Sequence, residues 1–332
     1  MRDLSSIIKA YDVRGLVPGE VNPELARDVG RAFAAVLGIS AADGGPGAVV
    51  VGHDMRPSGP ELVDAFADGL NGVGVDVIRI GQCSTDGLYF ASGSMGLPGA
   101  MFTASHNPAE YNGIKLCRPG AAPVGEATGL ADIRTMIETD AFPPTSGLRG
   151  SVSDRPMLKD YAVFLRSLVD ISGIRHLKVV VDAGNGMAGL TVPAVLGSEE
   201  GLEPLPLTVV PMYFELDGSF PNHEANPLDP ANLVDLQERV RSTGADLGLA
   251  FDGDADRCFV IDERGERVDP SALTALIGVR ELAREPGASI IHNLISSAAV
   301  AEIVTEHGGT PVRTRVGHSF IKARMAETGA VF

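Results

Sequence analysis

Three stretches of this chain repeat one plan: an apolar strand, a polar or glycine-rich turn, an amphipathic helix, a glycine and a second apolar strand. The first runs from Gly47-Ala48-Val49-Val50-Val51 through a helix opening near Ser58 to Val75-Asp76-Val77-Ile78-Arg79-Ile80. The second opens on Lys178-Val179-Val180-Val181 and turns at Asp182-Ala183-Gly184-Asn185-Gly186. The third opens on Ser289-Ile290-Ile291, passes through a helix containing Val300 and Ile303, and reaches Thr310-Pro311-Val312-Arg313. Apolar strands that alternate with helices need those helices to cover the sheet faces, so the plan points to α/β units. A chain of 332 residues, 44% of them hydrophobic, exceeds what one core organises. The expectation is a multidomain α/β protein with three similar domains at 1–150, 151–264 and 265–332.

Local signals fill in this frame. Ser58 and Glu61 have the spacing of a capping box, followed by Leu62, Phe66 and Leu70 at helical spacing. Asn22 is placed to cap a helix with Pro23 in its first turn and Leu25, Val29, Phe33 and Val36 along one stripe. A further helix is expected from Pro230 to Ser242, stopping at Gly244. The stretch from Phe142 to Gly147, with the polar run to Pro156, reads as a linker, and Asp262-Glu263-Arg264-Gly265 as a second boundary. The last residues, Gly329-Ala330-Val331-Phe332, read as the opening of an apolar strand with no turn or partner after it, so the third domain is expected to be incomplete.

With 43 acidic and 27 basic residues the formal charge is -16, which opposes a sequence-independent grip on nucleic acid or an anionic membrane. An anionic substrate therefore needs local positive charge. Cys83, Cys117 and Cys258 are scattered and form no CxxC pair, which fits a reducing cytoplasm and gives no disulfide framework. No signal peptide and no run of about 18 apolar residues is present, so a soluble cytoplasmic protein is expected.

Two segments carry chemistry. Thr103-Ala104-Ser105-His106-Asn107-Pro108 follows the apolar Gly99-Ala100-Met101-Phe102, which places the Ser105 hydroxyl at the carboxyl edge of a sheet, where open α/β folds bind ligands. Asn112-Gly113-Ile114-Lys115 then brings an ammonium back toward that loop. Alone, Ser105, His106 and Lys115 each read as ordinary turn or strand residues. Asp252-Gly253-Asp254-Ala255-Asp256-Arg257 sets three carboxylates on alternate residues between two apolar strands. A calcium loop of the helix-flanked kind is excluded by those strands and by Arg257 at the position that requires glycine. A solvated acidic turn and an aspartyl-phosphate phosphatase using Asp252 remain as alternatives. Three neighbouring carboxylates repel unless a cation sits among them, and an all-oxygen set suits Mg²⁺. Hydroxyl, carboxylate-bound metal and arginine together are the equipment of phosphoryl transfer. Asp182 to Gly186 and Phe220 to Pro227, with His223, read as structural turns.

Taken in order, Tyr11-Asp12-Val13-Arg14-Gly15, Thr103 to Pro108, Asn112 to Lys115, Asp252 to Arg257 and Gly317-His318-Ser319 resemble the α-D-phosphohexomutases, in particular the bacterial phosphomannomutase/phosphoglucomutase group. The resemblance implies three α/β phosphohexomutase domains with mixed sheets. It implies reversible interconversion of mannose 6-phosphate and mannose 1-phosphate through a phosphoserine enzyme and a hexose 1,6-bisphosphate. By the same resemblance Ser105 carries the phosphate, and Ser105, Asp252, Asp254 and Asp256 hold one Mg²⁺ per chain. Arg14, His106 and Lys115 would then serve catalysis, and Arg257 and His318 the hexose phosphate substrate. Either His106 or Lys115 would move the proton. A phosphoglucomutase, or an inactive metal- or phosphosugar-binding fragment, is the alternative. Two departures go with it: apolar Ile295 stands where relatives carry a lysine, and the family's sugar loop and fourth domain would be expected after Phe332.

Overall fold

A computed structural model describes residues 3–39, 47–143, 147 and 149–332. The chain divides into two units, Met1–Gly265 and Glu266–Phe332. In the first unit the order is β1 (Val13–Leu16), α1 (Pro23–Leu37), β2 (Ala48–His53), α2 (Gly59–Asn71), β3 (Asp76–Gln82), α3 (Thr85–Met95), β4 (Gly99–Phe102), β5 (Tyr111–Arg118), β6 (Ala122–Pro123), α4 (Leu130–Glu138) and β7 (Val152–Asp154). It continues with α5 (Leu158–Leu168), β8 (Leu177–Asp182), α6 (Ala188–Val195), β9 (Leu207–Met212), α7 (Val234–Thr243), β10 (Leu247–Phe251) and β11 (Cys258–Ile261).

The described strands form one sheet in the order β1-β5-β4-β2-β3-β7, with β6 beside β5, and a second in the order β11-β10-β8-β9. Both sheets are mixed: β2 runs parallel to β3 and β4, while β5 is antiparallel to β4. Likewise β8 is parallel to β9 and β10, and β11 is antiparallel to β10. The apolar runs read from the sequence are strands buried on both faces. Val49, Val51, Ala100 and Phe102 pack under α1 and α2, while Val50 and Met101 pack on the α3 side with Leu88 and Ala91. In the second sheet Val180 faces Leu236 and Val240 of α7, and Val179 and Val181 face Ala188 and Val192 of α6. The period of two assigns each residue its face, and coverage on both sides makes every position apolar.

Asn22 caps α1 as expected, accepting from the Leu25 amide at 2.9 Å, and Gly38 ends the helix in the left-handed conformation. The Ser58–Glu61 capping box does not form: Ser58 has helical backbone angles (φ -76, ψ -13) rather than the extended ones of a capping residue, and its hydroxyl accepts from Asn112 Nδ2 at 2.8 Å instead. The expected helix after Pro230 begins as a 3₁₀ turn and becomes α7 at Val234, ending on left-handed Gly244. The expected linker needs correction. Part of it lies outside the described residues, and its polar run contains β7, which joins the first sheet beside β3. All three residues of β7 are exposed, so the strand carries no apolar signature.

The second unit holds α8 (Pro270–Arg284), β12 (Ser289–Asn293), α9 (Ala298–Glu306), β13 (Thr310–Thr314) and α10 (His318–Thr328). Strands β12 and β13 are parallel, and Ile290, Leu282, Val300 and Val304 form the core. The terminal residues pair with β12. The Val331 amide donates to Ser289 O at 3.1 Å, and Phe332 O accepts from the Ile291 amide at 2.6 Å, so they run along β12.

Helices α1 and α2 cross at glycines: a Cβ on Gly30 would lie 2.5 Å from Phe66 O, and one on Gly69 only 2.2 Å from Arg27 O. Gly69→Ala should therefore destabilise the chain by about 1–3 kcal/mol through overpacking. Exposed Gly93 in α3 meets nothing within 4 Å. Gly93→Ala should stabilise by about 0.5–1 kcal/mol, and thermal unfolding of the two variants reads the opposite signs.

Candidate active site

The two chemistry-bearing loops leave the carboxyl ends of parallel strands in different sheets. β4 ends at Phe102 and delivers Thr103-Ala104-Ser105, and β10 ends at Phe251 and delivers Asp252. Within the first unit these edges meet. A Cβ on Gly253 would stand 2.4 Å from Ser105 O, and the Thr85 amide donates to Asp254 O at 3.1 Å. Ser105 has φ 50 and Ala255 φ 55, so both loops turn through the left-handed region that side chains disfavour. The Thr103 hydroxyl accepts from the Ser105 amide at 2.9 Å and helps hold the turn.

At this junction the Ser105 hydroxyl donates to Asp252 Oδ2 at 2.7 Å and accepts from Arg257 Nη2 at 2.8 Å. One ligand atom each from Asp252, Asp254 and Asp256 falls within 4.8 Å of the others, the arrangement that could hold a metal ion. Asp252 and Asp254 are fully buried. Lys115, reached through the β4–β5 pairing opposite Met101, donates to Asp254 Oδ2 at 2.6 Å and Asp256 Oδ2 at 2.8 Å. Arg257 Nε lies 3.0 Å from Asp252 Oδ2. Burial, with the charges of Asp254 and Asp256, raises the pKa of Asp252. Burial alone would lower that of Lys115, but Asp254 and Asp256 outweigh it and raise it. His106 is pushed down to about 4, first by burial and then by Arg257 and Arg14. Its Nδ1 stands 3.4 Å from Ser105 Oγ and 2.5 Å from Arg257 Nη2.

The sequence-derived residues Ser105, His106, Lys115, Arg257 and the three aspartates thus converge. Arg14 joins them through Asn107, donating to its Oδ1 at 2.7 Å, and is anchored by Asp12 at 2.5 Å. His318 is the first residue of α10 in the second unit, and its side chain lies outside the described set. His223 is no part of the acidic cluster. Its Nε2 pairs with Asp182 Oδ2 at 3.0 Å, and Gly184 donates its amide to Asp182 Oδ1, so His223 and the Asp182 turn are tied to each other.

Sequence reasoning missed Thr85, Asp54 and Arg56. The Thr85 hydroxyl donates to Asp254 Oδ2 at 2.5 Å. Asp54 and Arg56 leave the carboxyl end of β2, beside the Ser105 loop, with Asp54 N bonded to Phe102 O at 2.9 Å. Charged residues two apart directly after an apolar strand, in His53-Asp54-Met55-Arg56, were the available signal.

This charge balance makes a prediction. Removing one partner of a buried ion pair leaves an uncompensated charge, worth about 3–5 kcal/mol. Lys115→Met should lower the unfolding temperature sharply in EDTA, and magnesium chloride should restore more of it than in the parent protein. Equal losses in both buffers would show that Lys115 does not neutralise a cation site.

The chain matches three family profiles in succession. They are described as phosphoglucomutase/phosphomannomutase alpha/beta/alpha domain I at residues 5–144, domain II at 159–265 and domain III at 269–332. It is 38% identical over 326 residues to a phosphomannomutase of Escherichia coli K12, covering 98% of this chain and 70% of that protein. It is 42% identical over 328 residues to a protein of Xanthomonas campestris named phosphohexose mutases, covering 98% and 69%. The crystal structure of a phosphoglucomutase/phosphomannomutase family protein from Burkholderia thailandensis superposes with a TM-score of 0.89 at 37% identity, covering 99% of this chain and 70% of that one. Three matched domains in the same order, each seated on the α/β units described above, leave one assignment: the chain belongs to the phosphoglucomutase/phosphomannomutase family of enzymes.

Proposed function

We propose that this member is a phosphomannomutase, moving a phosphoryl group between the 6- and 1-positions of mannose phosphate through phosphorylated Ser105 and a hexose 1,6-bisphosphate. The observation that carries the reading is the Ser105 hydroxyl, seated 2.7 Å from Asp252 and 2.8 Å from Arg257 in a left-handed turn. In the forward step the bond from phosphorus to Ser105 Oγ breaks as one to the sugar oxygen forms, and the sugar hydroxyl gives up its proton. In the return step Ser105 Oγ accepts the other phosphoryl group of the bisphosphate, and the sugar oxygen regains a proton. The transferring group is strongly anionic, so the protein's main contribution is positioning and offsetting charge. Arg14, Lys115 and Arg257 supply positive charge around Ser105. Either His106 or Lys115 would move the proton.

The residues fit a hard divalent cation. Three carboxylates offer oxygen donors, and buried Asp254 Oδ1 has no hydrogen-bond partner while Oδ2 is held by Lys115 and Thr85. Asp252, Asp254, Asp256 and the Ser105 oxygen would hold Mg²⁺, which would draw charge from the phosphoryl oxygens. In this scheme residues 1–150 supply the phosphoserine loop and 151–264 the metal loop. By the family resemblance His318, in residues 265–332, would contact the hexose phosphate.

The test combines mapping with turnover. Phosphopeptide analysis after incubation with a hexose 1,6-bisphosphate should place a stable phosphate on Ser105. Mannose 1-phosphate and glucose 1-phosphate assayed side by side separate phosphomannomutase from phosphoglucomutase, and binding without turnover would mark a binding module. Ser105→Ala should lower turnover by roughly a thousandfold or more, and Asp254→Asn should suppress it as well. Full activity of Ser105→Ala, or an acid-labile acyl phosphate on Asp252, would overturn the reading.

A further inference from the structure

Arg56 has the largest fully buried side chain among the described residues, and its surroundings are unusual for a buried cation. One carboxylate faces it: Nε donates to Asp54 Oδ2 at 3.2 Å. The other donors go to backbone. Nη1 reaches Pro108 O at 2.7 Å and Tyr111 O at 2.9 Å, and Nη2 reaches Asn107 O at 2.6 Å and Ser105 O at 3.1 Å. A guanidinium has five N–H groups in a fixed plane, and here five acceptors take them. Three are carbonyls of the loop that carries Ser105, and the fourth, Tyr111 O, belongs to the first residue of β5, where that loop ends.

The same guanidinium ties that loop to the second sheet's domain. Its carbon lies 5.2 Å from the ring centre of Phe220, and a Cβ on Gly218 would stand 2.7 Å from Arg56 Cα. The Ser105 carbonyl is enclosed between Arg56 Nη2 and Gly253 of the acidic loop, while the Ser105 hydroxyl points to Asp252 and Arg257. Backbone orientation and hydroxyl orientation are linked in this way. A residue held at φ 50 has no intrinsic preference for that conformation, so something outside it must maintain it.

We propose that Arg56 is a positioning residue for phosphoryl transfer: it holds the Ser105 loop in its left-handed turn so that the hydroxyl stays aligned over the aspartate cluster. It acts through the carbonyls of Ser105, Asn107, Pro108 and Tyr111 and contacts no reacting atom. The proposal rests on Ser105 being the phosphorylated hydroxyl.

The experiment compares the parent chain with Arg56→Lys and Arg56→Ala in magnesium buffer, using ³²P-labelled glucose 1,6-bisphosphate for single-turnover labelling and hexose 1-phosphate for steady-state rates. Lysine keeps the charge but cannot span five acceptors. Displacing a reacting group by about 1 Å costs roughly a hundredfold, so Arg56→Lys should label Ser105 about a hundredfold more slowly, with KM within about twofold of the parent. Guanidinium ion should partly restore Arg56→Ala, and ammonium should not. Hydrogen exchange should quicken at the amides of the Ser105 loop and stay unchanged in β10. Parent-like labelling by Arg56→Lys, or a raised KM with unchanged kcat, overturns the proposal. Exchange that quickens throughout β10 in both variants also overturns it, because Arg56 would then serve the fold as a whole. A parent chain that takes no label on Ser105 removes the functional reading and the proposal together; a labelled parent with unaffected variants removes the proposal alone.

Discussion

Carboxylates from Asp252, Asp254 and Asp256 lie close enough for one oxygen of each to fall within 4.8 Å of the others, and two of the three side chains are sealed from water. Such a cluster repels itself in a poorly screened interior unless positive charge is brought to it. Lys115 comes from the first sheet and Arg257 from the loop itself, so the cluster can exist only where the two sheets' domains meet. The requirement explains why a lysine sits buried in β5, and why the loop after β10 ends in an arginine. It also explains why cations gather at this point in a chain whose net charge is -16.

The backbone supplies the rest of the alignment. Gly253 admits the Ser105 carbonyl at a distance no side chain would allow, and a Cβ on Gly186 would lie 2.7 Å from Gly253 O, so the Asp182 turn backs the acidic loop from behind. Ser105 and Ala255 both hold left-handed conformations without being glycine. Strain of that kind persists only where surrounding contacts over-determine it, and it is commonest where a functional group must be held in one orientation.

Much of this was legible in the sequence, for identifiable reasons. Strands covered on both faces read as continuous apolar runs, so β2, β4, β8 and β12 could be placed from composition alone. Asn22 caps α1 through local chemistry. The Ser105 and Asp252 loops were legible because they pack several reactive side chains into a few residues. What escaped depends on contacts distant in sequence. Ser58 looks like a cap but its hydroxyl bonds Asn112, β7 has no apolar face to betray it, and Val331 and Phe332 find their partner in β12. Arg56 and Thr85 acquire their roles only when loops some 50 and 170 residues away close on them, which no local pattern encodes.

The central claim is that the Ser105 oxygen and the aspartate cluster form one site. Phosphorus NMR of the Ser105-phosphorylated chain tests it directly when manganese replaces magnesium, because a paramagnetic ion broadens only nuclei in its immediate surroundings. The account predicts that one equivalent of manganese broadens the phosphoserine resonance beyond detection and that Asp254→Asn restores it. A resonance that stays sharp while manganese binds stoichiometrically at the three aspartates would contradict it.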